Sequence, residues 1–399
     1  MSYGQAEQAS RQALRVEPGT RHGSRIDYDL QLAELRYRVY FDCAHVELTT
    51  DCESTLAMLA LGAMSLRREL QVVGPISPRY LDNQRQLMQV FGGWFERYRP
   101  VPIVASTLRE GCPAKAGTGR VGCFFTGGVD SFYTFLKHRD EITDLVFVHG
   151  YDVDLDDRMR REQVSAMGRA LEQACGVRFI ELETNAIRLF RDFGRWGTHA
   201  HGYGLGSAAR HLAGYLKRIY IPSSFATAEL MPWASHPLTD PLFSDERLEV
   251  IHDGCEAGRV DKIRALAGDP LALEHLRVCW ERVEGRYNCG RCEKCLRTMT
   301  SLQALGVLGQ CATFPAQVES RQVCELVIHD TSLATFAHDN LRLLQACGQG
   351  ESALAQAWRE VLERPQWRNR MILKGRKWRR RVRKLLNKVG VGLEPDPSA

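Results

Sequence analysis

The run Thr126-Gly127-Gly128-Val129-Asp130-Ser131 restricts what this chain can be more than any other segment. It follows the apolar residues Val121–Phe125, which read as a buried strand, and precedes Phe132–His138, which reads as helix. A glycine pair at a strand end lets the backbone turn sharply and approach a ligand closely. The helix beyond it offers unpaired N–H groups and the positive end of a dipole, a seat for phosphate. Asp130 supplies a carboxylate where Mg²⁺ on the phosphates would be held, and Ser131 a hydroxyl in the first helical turn. The Gly-Lys-Ser/Thr ending of a Walker loop is absent. The alternative is a strand–turn–helix whose glycines serve the turn alone.

At 399 residues the chain has room for two or three domains of roughly 150 residues each. Its 44% hydrophobic and 25% charged content is that of an ordinary globular protein. No apolar run approaches the ~20 residues that cross a bilayer. Met1–Arg11 lacks the apolar stretch of a secretory signal, so a cytoplasmic protein is expected. The net charge of +5 is uneven. Residues 368–388 carry eleven Lys or Arg and no acid, which leaves the other 42 basic residues outnumbered by 48 acidic ones. Only this tail argues for an anionic partner.

Residues 1–110 read as a separate α+β module, with strand patterns inside Ile26–Leu48 and helical patterns at Glu53–Arg68 and Ser77–Tyr98. Glycine and proline between 107 and 120 predict a linker. Over 111–310, strand patterns at Leu145–Val148, Val177–Glu181 and Arg218–Pro222 alternate with helical ones at Asp157–Gln173 and Ser207–Leu216. That alternation predicts an α/β fold, a parallel sheet with helices on both faces and ligands at the carboxyl ends of its strands. After the cysteines, Leu296–Leu305 and Leu333–Trp358 read as helical; a helical region is expected over 311–365 and a basic amphipathic tail over 366–399.

Of the 13 cysteines, four crowd together as Cys279 and Cys289-Gly290-Arg291-Cys292-Glu293-Lys294-Cys295. Short C-x₂-C turns present sulfurs to one ion without strain, and four thiolates suit Zn²⁺ in a tetrahedron. Arg291, Lys294 and Arg297 lie close enough in sequence to offset the negative charge. An Fe–S cluster is the alternative, because C-x₂-C-x₂-C also opens ferredoxin-type runs, although the further cysteine and proline of those runs are missing. Four protein ligands leave no open position, so such a zinc would be structural.

The [Ser/Thr]-Gly-Gly-x-Asp-Ser pattern resembles the PP-loop of the N-type ATP pyrophosphatases, which split ATP into AMP and pyrophosphate. With the C-x₉-C-x₂-C-x₂-C cluster, the chain resembles the 7-cyano-7-deazaguanine synthase branch of that superfamily over about residues 121–300. The resemblance implies a PP-loop (adenine nucleotide alpha hydrolase-like) fold. It also implies activation of a carboxylate as an acyl-adenylate, attack by ammonia with loss of AMP, and a second activation that dehydrates the amide to a nitrile. ATP, Mg²⁺ and a structural Zn²⁺ are implied as cofactors. Thr126, Gly127, Gly128, Asp130 and Ser131 match the nucleotide loop, with Val129 between them, and Cys279, Cys289, Cys292 and Cys295 match the zinc ligands. Two segments depart from the family. Thr198-His199-Ala200-His201-Gly202 stands where an Arg-Asn pair is usual, and Ser235-His236-Pro237-Leu238-Thr239-Asp240-Pro241 replaces a Tyr-Pro-Asp-Cys-type run. The likeness therefore speaks to adenylation, not to the deazapurine substrate.

Further candidates follow from position. His199 and His201, in a glycine-rich turn before a helix, either contact phosphate and accept a proton or are plain loop histidines. Asp240, between Pro237 and Pro241, either orients substrate or a second Mg²⁺ or forms a turn. Lys262 falls where the family often has a lysine and would neutralise phosphate; otherwise it lies on a solvated helix face. Cys123 reads as a small buried apolar residue. In the tail, Met371, Trp378, Val382, Leu385, Leu386 and Val389 share one helical stripe opposite Arg379, Arg380, Arg381 and Lys384. Such a helix suits an anionic membrane surface, RNA phosphates or the acidic body of the same protein.

Three functions remain: a ligase that adenylates a carboxyl or carbonyl group of a small molecule for attack by ammonia or an amine; a tRNA-modifying enzyme of the thiolation type; and a non-catalytic nucleotide-binding module. Asp130 and Ser131, both present, favour catalysis.

Overall fold

Apolar runs too short to be helices and too continuous to have a wet face form the centre of the molecule. The computed structural model describes residues 13–109, 119–279, 281, 286–328 and 331–388, in two units, Met1–Trp280 and Glu281–Ala399. In the first unit, β7 (Val121–Phe124) and β8 (Asp144–His149) are buried at every residue, as strands covered on both faces must be. They pair in parallel with each other, with β9 (Arg178–Thr184) and with β10 (Arg218–Pro222). A strand not foreseen, β11 (Glu249–Asp253), pairs in parallel with β10. The sheet order β11-β10-β7-β8-β9 runs outward from β7 to β9 and then resumes on the other side at β10. The switch point, where a crevice opens at the carboxyl ends, therefore lies between β7 and β10. The loop that opens this crevice is Phe125–Gly128.

Residues 13–109 are not a separate module. The antiparallel meander β2 (Thr20–His22), β3 (Arg25–Leu32) and β4 (Leu35–Asp42) joins the main sheet through β4, which pairs with β9 at Phe41↔Thr184 and Asp42↔Glu183. This covers the edge that β9 would otherwise leave unpaired. β1 (Leu14–Val16), β5 (Leu70–Val72) and β6 (Ile103–Ala105) form a second, all-parallel sheet. Helix α1 (Cys52–Leu66), buried from Cys52 to Met64, is a core helix packed on a later helix, α6 (His201–His211). Most of the linker expected at 107–120 lies outside the described residues.

Buried charges tie the early segment to the sheet. Arg210 and Asp245, both fully buried, pair at 2.6 Å. Arg247 reaches Asp51 at 2.7 Å and Asp245 at 3.0 Å, and Arg109 reaches Glu53 at 2.8 Å. Cutting any of these would strand a charge in the core, a cost of about 3–5 kcal/mol.

His211, on α6, is buried against Phe41 with ring centroids 3.8 Å apart. Its Nδ1 bonds the Ser207 carbonyl at 2.7 Å and its Nε2 bonds the Tyr28 hydroxyl at 2.8 Å. Nδ1 must donate to the carbonyl, and in the neutral ring that burial favours Nε2 accepts from the Tyr28 hydroxyl. Burial pushes its pKa down from 6.5 to about 4. The unfolded chain then takes the proton first, so this contribution is complete above about pH 6.5 and disappears as pH falls toward 4, a loss of about 3 kcal/mol. Urea midpoints measured across that window are expected to fall for the native chain and to fall less for His211→Gln; equal slopes would refute the assignment.

In the second unit, α9 (Glu293–Ala304), α11 (Thr331–Ala346) and α12 (Ala353–Glu363) pack together. The buried Trp358 donates to Thr300 Oγ1 at 3.1 Å, and Ser301 donates to Asn340 at 2.7 Å. The run expected as one helix over Leu333–Trp358 is two, broken near Gly348, whose φ of +72° ends a helix. The unit boundary at 280/281 falls inside the segment expected to be one domain to residue 310. The basic tail is a helix, Gln366–Lys388, on which Trp367, Met371 and Trp378 are exposed; Val389 lies outside the described residues. Among the described residues no helix is long and apolar enough to cross a membrane.

Candidate functional site

The loop after β7 has the form that its glycines predict. Phe125 N–H donates to Val146 at 2.8 Å as the last sheet bond. Gly127 then turns at φ +74°, a conformation that demands glycine, and a Cβ there would meet Met167 Sδ at 2.7 Å. Gly128 begins α3 (Val129–Lys137) with no side-chain cap, which leaves the first-turn N–H groups for a ligand. Ser131 Oγ donates to the Gly128 carbonyl at 3.1 Å and accepts from Thr126 N–H at 3.3 Å. It staples the loop from within, while Thr126 stands exposed at the mouth. The far side of the loop is held by Arg277, unforeseen in the sequence: its N–H donates to Gly127 at 2.7 Å and its guanidinium pairs with Asp152.

Asp130 and Lys262, 132 residues apart, come together here. Asp130 pairs with Lys262 Nζ at 3.4 Å and with Arg259 Nη2 at 3.1 Å. The two cations lie on α7 (Arg259–Ala267), the helix after β11. Lys262 is buried rather than solvated, and its ammonium also donates to the Ser223 carbonyl at the end of β10, at 2.6 Å. Both walls of the switch point thus meet at one lysine. Arg259 carried no local signal beyond its charge.

The segment around His201 differs from expectation. Trp196–Ala200 is one π-helical turn, and α6 starts at His201, not at Ser207. The glycines that suggested a turn serve close packing instead: a Cβ on Gly202 would meet the Ala234 carbonyl at 1.8 Å, and one on Gly206 would strike the Phe243 ring. His201 Nδ1 bonds the Trp196 carbonyl at 3.2 Å, and burial keeps the ring below its usual pKa. His199 stacks edge-on to Phe95 and Tyr98 instead of standing in a loop.

Asp240 is fully buried at the start of a 3₁₀ turn and is occupied on all sides. It accepts from Ser235 Oγ at 2.5 Å and His236 N–H at 3.3 Å, and it pairs with His252 Nδ1 at 2.7 Å. The structure places it as an anchor for His252, on β11. Although burial works against the charged ring, its bond to Asp240 and the nearby Cys255 push the His252 pKa up to about 9. Cys255, in the loop after β11, donates to Ser223 Oγ at 3.3 Å. Its burial is outweighed by His252, Ser223 and the Lys262 charge, which together hold the thiol below its ordinary pKa. Neither His252 nor Cys255 had a recognisable motif around it.

The sulfurs of Cys279, Cys289, Cys292 and Cys295 lie within 4.8 Å of one another. Zn–S bonds of about 2.3 Å in a tetrahedron put sulfurs about 3.8 Å apart, and Cys289 and Cys295 are separated by 3.8 Å. Gly290 turns at φ +71°, aiming the N–H groups of Arg291 and Cys292 at Cys289 Sγ at 3.5 and 3.2 Å. Cys292 caps α9 and Cys295 lies in its first turn, where the helix dipole favours thiolate. Arg297 pairs with Glu293 at 3.4 Å and lies over the Phe336 ring. The donor set fits a metal ion such as zinc.

Compared with models of known protein families, with curated proteins and with solved structures, the chain matches none.

Proposed function

We propose that this chain is an ATP-dependent, AMP-forming ligase of the PP-loop type, which adenylates a carboxyl or carbonyl oxygen of a small molecule for attack by ammonia or an amine. The observation that carries the reading is the convergence of the uncapped Gly127-Gly128 helix start, Asp130, Arg259 and Lys262 at the switch point of the parallel sheet. The loop amides would take the phosphates of ATP, with Arg259 and Lys262 neutralising the departing pyrophosphate. Asp130, a carboxylate balanced here by two cations, would be the residue to hold Mg²⁺, which would spread the charge of the leaving group. The cysteine site would hold zinc for structure. The exposed Trp367, Met371 and Trp378 on a basic helix suit RNA, which is the observation in favour of a tRNA-modifying enzyme as second reading.

The test supplies ATP, Mg²⁺ and ammonium with a panel of heteroaromatic carboxylic acids. AMP and pyrophosphate are expected in equal amounts, dependent on the acid. ADP and phosphate would overturn the assignment, and turnover that needs tRNA in place of an acid would select the second reading.

A further inference from the structure

Beside the nucleotide loop lies a group of side chains that ATP cleavage alone does not need. His252 is held by its Nδ1 against the buried Asp240 at 2.7 Å. Its Nε2 is buried and has no hydrogen-bond partner, although only 2% of the side chain is exposed. Three residues on stands the half-buried Cys255 thiol, whose ionisation the His252 charge favours. The thiol also donates to Ser223 Oγ at 3.3 Å, and the carbonyl of the same serine takes Lys262 at 2.6 Å. Lys262 in turn pairs with Asp130. Cys255 is thereby linked through one serine to the proposed phosphate site. Lys262, Asp240, His201 and His236 are the other titratable groups that face this cluster.

We propose that Cys255 is a nucleophile that takes the acyl group from the acyl-adenylate, with His252 and Asp240 as positioning residues beside it. This deepens the adenylation reading and rests on it. The Cys255 sulfur attacks the acyl carbon, the bond from that carbon to the phosphate oxygen breaks, and AMP leaves with the electron pair. The amine nitrogen then attacks the thioester carbon, the C–S bond breaks to restore the thiolate beside the His252 imidazolium, and the amine proton passes to water. The sulfur guards the activated acyl group after AMP has gone, which an adenylate in open water would not survive. The substrate class is accordingly a carboxylic acid, not an RNA base carbonyl.

Two probes test this on the full chain. With iodoacetamide near neutral pH, Cys255 is expected to be alkylated about tenfold faster than Cys175 or Cys324, half-buried thiols whose pKa burial raises. Asp240→Asn should move the pH midpoint of that alkylation upward, because a less charged His252 supports the thiolate less, a shift that a merely structural role would not produce. Preformed benzoyl-adenylate should leave one hydroxylamine-sensitive benzoyl group on Cys255 with release of AMP. Cys255→Ala should lose both labels and Cys347→Ser neither. An unreactive Cys255, or a pH profile unchanged in Asp240→Asn, overturns the proposal. Benzoyl transfer to Cys255 without any acid-dependent pyrophosphate release from ATP would instead retain the nucleophile and refute the adenylation step.

Discussion

Asp130→Ala is expected to lower ATP-dependent AMP formation by about 10³-fold, the cost of removing one preorganised charged group from a phosphate site. The argument rests on what surrounds the carboxylate. Arg259 at 3.1 Å and Lys262 at 3.4 Å would remain, so the site would become more positive and would bind the phosphates of ATP at least as well. What disappears is a carboxylate paired with both cations. KM for ATP should therefore stay level or fall while kcat collapses. Lys262→Met should do the reverse in part, raising KM as well, since its ammonium also satisfies the Ser223 carbonyl. Steady-state kinetics on both variants separates the two roles. Loss of less than about tenfold in kcat for Asp130→Ala would remove Asp130 from the chemistry.

How much of this was legible depended on distance along the chain. The strands β7 and β8 were readable because burial on both faces favours apolar runs, as in Leu145-Val146-Phe147-Val148, and β9 and β10 kept enough apolar residues to show. β11 was not, because Glu249, His252 and Asp253 interrupt it; only the structure shows that its polar residues serve Asp240, Lys137 and His138. The N-terminal strands were recognisable as strands, but nothing local in Leu35–Asp42 says that its partner is β9. Gly202 and Gly206 misled, since a glycine that admits a neighbouring backbone or ring looks the same in sequence as one that makes a turn. In the site, the glycine loop and the cysteine cluster are local motifs and were visible. Arg259, Arg277, His252 and Cys255 act across 12 to 151 residues or through a single partner, and no spacing rule reports that.

Removing the metal should have a larger effect on the protein than any single substitution in the core. The prediction is that the purified chain carries about one zinc per molecule, and that a strong chelator or Cys289→Ser with Cys295→Ser releases it and unfolds the segment from Asn288 into α9. Structural zinc in small sites supplies about 10–16 kcal/mol of folding free energy; here a share of that is expected, because α9 also has its own contacts through Thr300, Ser301 and Trp358. Cys279, Cys289 and Cys295 are at most 4% exposed, and the turn at Gly290 only orients amides toward sulfur. Protons compete for the thiolates, so metal should also leave as pH falls, and addition of zinc at neutral pH should restore it. Metal analysis with hydrogen exchange over residues 286–304 reads both effects. Iron in place of zinc would turn the cluster into a redox centre and would draw the function toward sulfur chemistry. Full amide protection after complete metal loss would show that the four thiols are held by packing alone.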